Sequence, residues 1–291
     1  YSRIMLVALF PAIMYFFSVF VMVHYEAKKD NIVGDKSEHS AMEILKSEWY
    51  YTLPLVTITI FMLYGYSPGY SAILGLITCI VVSWFRKDTR IGPKRFLEAA
   101  REGAESSLKI GATVGVIGII IGVLTYSGLV LTFADIVIEM AGGSLVMTIL
   151  LIALASLVLG MGVPVTAAYL ITAVVAVPAL THLGVNELAA HMIVYWLSQD
   201  SNITPPVCIA AFAGATIAKA NMWKTAFSAF KFAKFLYLGP FLFGYVPGFS
   251  LNGSTMDIVK AFILIIIGTY AYSWFLSGIW IRKIFPKKTA A

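Results

Sequence analysis

Charge is what this sequence has least of: Asp, Glu, Lys and Arg make up 12% of its 291 residues, about half the ~25% of an ordinary soluble domain. Hydrophobic residues supply 59% and the mean hydropathy is +0.86, so the composition specifies a polytopic membrane protein. Cysteine is nearly missing as well. Cys79 and Cys208 both stand in apolar runs, which excludes a disulfide framework and leaves them as small packing residues. Lys and Arg are absent from Ser144 to Ala218, so an anionic ligand bound there relies on amide dipoles, bound cations or residues from elsewhere. No GxSxG motif and no phosphate-cradling GK[ST] loop occurs, which argues against a serine hydrolase and an ATP-driven pump. His182, Glu187 and His191 lie in "THLGVNELAAH", without HExxH spacing, so no metal is expected. The sequence opens on Tyr1 with no charged leader and cleavage site before its first apolar run, and reads as a piece of something longer.

The charge that is present is arranged. A net charge of +6 would suit nucleic acid, but the basic residues cluster between apolar runs as positive-inside loops do, so no nucleic acid is expected. Residues 4–23, 50–66, 70–85, 110–127 and 256–280 are apolar runs suited to spanning a bilayer. Trp49, Tyr50, Tyr51, Trp84 and Trp280 at their ends read as interfacial anchors. Arg86, Lys87, Arg90, Lys94 and Arg95 place the third loop in the cytoplasm, together with the mixed-charge stretch 24–49. The segment "RKDTRIGPKRFLEAAREGAESSLK" reads as a helix on the membrane surface. "GLVLTFADIVIEMAGG", with acids and no bases, reads as an outer loop. Lys219, Lys224, Lys231 and Lys234 return the chain to the cytoplasm, "FLYLGPFLFGYVP" is a short outward crossing, and "IRKIFPKK" ends it inside.

Two breaks interrupt the apolar blocks. Between arms of about fifteen to seventeen residues, short for a span, lies GMGVP, and lipid cannot satisfy such a turn, so it is expected in protein or beside a watery cavity. The arms therefore read as a re-entrant hairpin, residues 145–181. Within block 187–218 stands SQDSNITPP, where Pro205 and Pro206 end one helix and oblige another to start. Interrupted helices present carbonyl oxygens at one end and amide hydrogens at the other, a cation site and an anion site side by side. In transporters such helices hold substrate and coupling ion near the midplane. Asp200, an acid at that depth, is a functional candidate by default.

The blocks "LGMGVPVTAAYLITAVVAVPAL", "LGVNELAAHMIVYW" and "NITPPVCIAAFAGATIAKANMWKTAFSAFKF" resemble the large membrane subunit of tripartite ATP-independent periplasmic (TRAP) transporters, with the fused-permease branch that works with TAXI-type binding proteins nearest. "PAIMYFFSVFVMVHYEAKK" resembles the stretch after that branch's first discontinuous helix. The resemblance implies an all-α polytopic, elevator-type transporter with two inverted repeats, of which this chain carries the second, while the first repeat of the same permease is missing. It implies symport of a small carboxylate driven by sodium or protons, with no other cofactor, across a bacterial or archaeal inner membrane. The implied partners are a periplasmic binding protein, a small membrane subunit, separate or fused upstream, and the lipid bilayer. The expected organisation is a scaffold-like part over residues 1–109, a transport repeat over 110–247 and a terminal helix with a basic tail over 248–291.

By the same resemblance the hairpin tip is Gly160, Met161, Gly162, Val163, Pro164, Val165 and Thr166, which would contact substrate. Gly160 and Gly162 admit the backbone to the ligands, Pro164 starts the second arm and Thr166 offers a hydroxyl. Asn202 and Thr204, with nearby carbonyls, would hold the cation, joined by Ser201 and Asp200. Two rival classes are an intramembrane enzyme using Asp200 and His191, which requires those side chains to converge, and a passive channel, which requires a continuous pore. No catalytic residue is expected in the transporter reading.

Overall fold

The computed structural model describes residues 2–32, 40–161, 163–205 and 208–280, and all regular elements among them are helical. Gly162, Pro206 and the tail "IRKIFPKK" lie outside the described residues, as does 33–39 of the mixed-charge stretch 24–49. The chain forms two compact units, one of Tyr1–Leu6 with Val33–Ala112 and one of Val7–Ile32 with Thr113–Ala291.

In the first unit, α1 (Ser2–Asp30) contributes only its start. A capping box at Ser40 and Glu43 begins α2 (Ala41–Glu48), and a 3₁₀ turn, Trp49–Thr52, leads into α3 (Leu53–Leu63) and α4 (Pro68–Ser83). The turn between α3 and α4 uses Gly65 at φ 88° and Ser67, whose hydroxyl accepts from the Tyr70 amide. α3 is shorter than the expected span 50–66, whereas α4, with 16 residues, is as long as the expected 70–85 and begins two residues earlier. At 1.5 Å per residue they rise roughly 16 and 24 Å, against a hydrocarbon core of about 30 Å. Interfacial residues 49–52 take up 3₁₀ geometry and the Gly65 turn ends α3 early, so the apolar run overstates the helix. α5 (Pro93–Tyr126) has 34 residues, so the expected surface helix and the span expected from residue 110 belong to one helix. The change from charged to apolar side chains alters what surrounds a helix; without a proline or a left-handed residue it leaves the backbone ladder intact.

The second unit holds α6 (Leu129–Met140), α7 (Leu145–Leu159), α8 (Val165–His182), α9 (Glu187–Ser198), α10 (Ile209–Ile217), α11 (Met222–Phe232), α12 (Lys234–Tyr245) and α13 (Thr255–Ser277). The expected outer loop is in fact the helix α6, begun after Gly128 at φ 71° and ended before Gly142 and Gly143 at 60° and 71°. Its acids sit on an amphipathic helix too short to cross, which a charge count alone reads as loop.

Among the described residues, five helical stretches are long and apolar enough to cross a membrane: Ser2–Asp30, Pro93–Tyr126, Val165–His182, Met222–Tyr245 and Thr255–Ser277. α11 and α12 together make the fourth, so the crossing expected over a short segment is longer and starts earlier. Lys224, Lys231 and Lys234 therefore fall inside it. Lys231 pairs with Glu26 of α1, and Lys234, buried, directs its Nζ at the Ser18 carbonyl at 3.4 Å. Placing a lysine by charge alone ignores that its long stem can carry the ammonium to a partner.

α9 is the hub. Ala190, Ile193 and Val194 are fully buried and Met192, Trp196 and Leu197 nearly so, because α7, α8 and α12 pack around it. Lipid is as apolar as leucine, so helices associate here through close packing and small residues. Ala167, Ala168, Ala173, Ala176 and Ala179 of α8 and Ala189 and Ala190 of α9 supply these. Gly239 is pressed on Trp196 so closely that a Cβ there would lie 2.8 Å from the indole Nε1. Phe249, fully buried, packs on Phe10, Phe235 and Phe243 with ring centroids 6.0, 6.3 and 4.6 Å away.

Candidate functional site

α7 ends where Gly160 and Met161 donate to the carbonyls of Ser156 and Val158 at 2.8 and 3.3 Å. Pro164, at φ −59° and ψ 147°, is extended and starts α8, its carbonyl accepting from Ala168. Proline suits that place because the first helical amides have no intrahelical partner. α7 and α8 thus form the two arms of a hairpin around residues 160–164. α8 has 18 residues, three more than α7, and rises about 27 Å, longer than the expected arm.

The second break is equally real. α9 stops at Ser198, Asp200–Asn202 form a 3₁₀ turn, and α10 resumes only at Ile209. Asn202, Ile203 and Thr204 donate to the carbonyls of Gln199, Asp200 and Asp200 at 3.1, 3.2 and 2.8 Å. The Cys208 amide donates to the Thr204 carbonyl at 3.3 Å. Cys208 itself enters α10 at φ 28° and ψ 50°, a strained backbone for a residue with a side chain, of the kind that functional sites hold.

The tip of the hairpin meets the gap. A Cβ on Gly160 would lie 2.8 Å from Ser201 Oγ and 2.9 Å from the Ser156 carbonyl oxygen, so only glycine permits this approach. Gly160 and Ser201 are buried, whereas Met161, Val163, Pro164 and Thr166 are exposed at the tip. Thr204 Oγ1 is 2.7 Å from the Tyr237 hydroxyl of α12. Asn202 lines a cleft of about 290 Å³ with Tyr15, Phe16, Tyr195, Trp196 and Gln199. Asp200 is 4% exposed, and its Oδ1 has no hydrogen-bond partner among the described residues. Sequence reasoning missed Tyr237 and Tyr15; a hydroxyl midway along an apolar run is the signal that marks each. His191 is bound by Tyr169 of α8, hydroxyl to Nδ1 at 2.9 Å. It stands nine residues before Asp200, about 13 Å along a helix axis.

Tyr237→Phe is expected to lower stability by about 1 kcal/mol through loss of the Thr204 bond. Thermal melting in detergent measures this, with Thr204→Val giving a similar loss and the double variant no further one.

These features define a class, an all-α polytopic membrane protein in which a helical hairpin abuts a discontinuous helix. The family model described as "Tripartite ATP-independent periplasmic transporter, DctM component" matches residues 1–249, and the chain belongs to that family. It is thus a membrane permease component of the TRAP type. No curated protein and no solved structure gives a significant match.

Proposed function

We propose that this chain is the transport repeat of a permease that takes up small carboxylates, driven by a sodium or proton gradient, in the fused TAXI-type branch of the family. The observation that carries the reading is the contact between Gly160 and Ser201. It joins the end of one helix to the break of another, the arrangement in which discontinuous helices of transporters hold substrate and ion. A hairpin with its tip on an internal break turns within the membrane layer, as a re-entrant element does, and can move with the broken helix as one body in an elevator-type cycle. The organisation proposed is scaffold over residues 1–109, transport repeat over 110–247 and terminal helix with basic tail beyond. Substrate meets Gly160, Met161, Val163, Pro164 and Thr166 at the tip, and the ion lies at the gap among Asp200, Ser201, Asn202 and Thr204. A periplasmic binding protein delivers the carboxylate, a small membrane subunit completes the complex, and a first repeat of the permease completes the pocket. The location proposed is a bacterial or archaeal inner membrane. Transport is favoured over catalysis because the Asp200 and His191 side chains belong to separate levels of α9 and its gap, and His191 is occupied by Tyr169.

Uptake by the full-length protein under an imposed sodium or proton gradient tests this reading. Asn202→Ala and Thr204→Ala are each expected to lower uptake about 10- to 100-fold, the equivalent of one charge-assisted contact. Accumulation above the external concentration separates a coupled permease from a channel. Wild-type uptake in both variants removes the two residues from the mechanism.

A further inference from the structure

We propose that Lys234 supplies the counter-charge for the transported carboxylate and that the aromatic cleft beside it seats the rest of the molecule, so that the cargo is a small acid with a flat apolar body. The proposal rests on the transport reading above and names its substrate class. It starts from a cation without an anion. Lys234, at the start of α12, is 5% exposed, and the one hydrogen bond described for its Nζ goes to the Ser18 carbonyl at 3.4 Å, longer than a good N–H···O bond. Burying an ammonium is costly unless an anion or several acceptors surround it.

No carboxylate among the described residues pairs with Lys234. Glu26, about two turns beyond Ser18 on α1, is engaged by Lys29 and by Lys231. The Asp200 Oδ1 has no hydrogen-bond partner, so that acid does not serve Lys234 either. Residues 144–218, which form the hairpin and the broken helix, hold no Lys or Arg, and an acid bound at the gap must draw its cation from another element. Tyr237 lies one turn further along α12 than Lys234 and is hydrogen-bonded to Thr204 of the gap. Lys234 is therefore about 4.5 Å along the axis from the level of the gap.

The cleft lies on the same helices. Tyr15 and Phe16 of α1 and Tyr195 and Trp196 of α9 line it, with the side chains of Gln199 and Asn202 from the gap. Tyr15 is one turn before Ser18, and Leu236, also in the lining, follows Lys234 by two residues, so the ammonium stands within a turn of the cleft on both helices. Freed from the Ser18 carbonyl, the flexible four-carbon stem of lysine can carry the charge to a carboxylate there. The amides of Gln199 and Asn202 are donors for the same group. A volume of about 290 Å³ is at the small end of ligand sites, and a wall made largely of rings suits a flat apolar body. A polyhydroxylated acid would leave hydroxyls unpaired against those rings, at a cost in affinity.

Thermal melting of the full-length protein in nanodiscs tests the proposal with three probes: phenylacetate, its uncharged amide phenylacetamide, and succinate, an acid without a ring. Phenylacetate is expected to raise the wild-type melting temperature by several degrees at about 100-fold excess over Kd, and to bind about 10- to 100-fold more tightly than either other probe. In Lys234→Met, which keeps a chain of similar length without the charge, phenylacetate should lose its advantage over phenylacetamide, and Lys234→Arg should restore a preference for the acid. A lysine that only ties α12 to α1 would shift the melting temperature of the free protein and leave the ratio of the two affinities unchanged, which overturns the counter-charge role. Ala12→Trp, in the wall of the cleft, is expected to weaken phenylacetate binding at least about tenfold; unchanged binding overturns the cleft as its seat. Succinate binding as tightly as phenylacetate, or no response of the wild type to phenylacetate, overturns the apolar body. Uptake of labelled phenylacetate into proteoliposomes with the binding protein separates the two readings. Lys234-dependent binding without uptake under any gradient supports the site and overturns the transport reading, whereas undiminished uptake in Lys234→Met supports transport and overturns the counter-charge.

Discussion

Gly160→Val is expected to abolish gradient-driven uptake while leaving the protein in the membrane. The nearest atoms to a Cβ at this place, Ser201 Oγ at 2.8 Å and the Ser156 carbonyl oxygen at 2.9 Å, are a short side chain and a fixed backbone atom, neither of which can retreat far. Alanine must already push the tip from the gap, at about 1 to 3 kcal/mol. Valine, branched at Cβ and stiff, forces a larger separation. The tip and the gap then no longer touch. The measurement is uptake by the full-length protein beside its thermal melt: Gly160→Ala should show partial loss in both, and Gly160→Val no uptake. Normal uptake by Gly160→Val would mean that tip and gap do not act together. Ser201→Gly in the Gly160→Ala background removes the Ser201 part of the clash and leaves the Ser156 carbonyl, so a partial recovery of the melting temperature there would identify the contact with the gap as one cause.

Phe249→Ala is expected to be the most destabilising change in the second unit. The side chain is fully buried among Phe10, Phe235 and Phe243. Removing it leaves a cavity that costs about 3 to 5 kcal/mol in a well-packed core, or roughly 10 °C in melting temperature. In lipid the loss is mainly of dispersion contacts, since the transfer term between protein interior and hydrocarbon is small. Phe249→Leu, which keeps most of the volume, should lose less than half as much. A melting temperature within a degree or two of wild type for Phe249→Ala would show that the neighbouring rings close the void.

Why Phe249 lies at a core and Phe16, 72% exposed, does not is invisible in the sequence, where both stand in apolar stretches. Hydropathy reports affinity for a non-aqueous surrounding, and lipid and protein interior satisfy it alike. The contact that defines the candidate site has the same character. The breaks at GMGVP and ITPP were legible, because proline and glycine act on the backbone of their own turn. That Gly160 touches Ser201, that Tyr237 claims the Thr204 hydroxyl and that Asn202 faces an aromatic cleft depends on how α7, α9 and α12 cross.

The sequence by itself determined the membrane class, the helical make-up, the hairpin arms and the two interruptions. Each of these follows from composition or from the local chemistry of a few consecutive residues. The tertiary structure decided the length of α3, the continuity of α5, the helix in place of an outer loop and the burial of Lys234. It also decided which oxygens of the gap are already engaged. Those outcomes turn on partners distant in the chain, such as Ser18 for Lys234 and Tyr237 for Thr204, and a hydrogen bond between remote groups is fixed by packing, not by sequence neighbours.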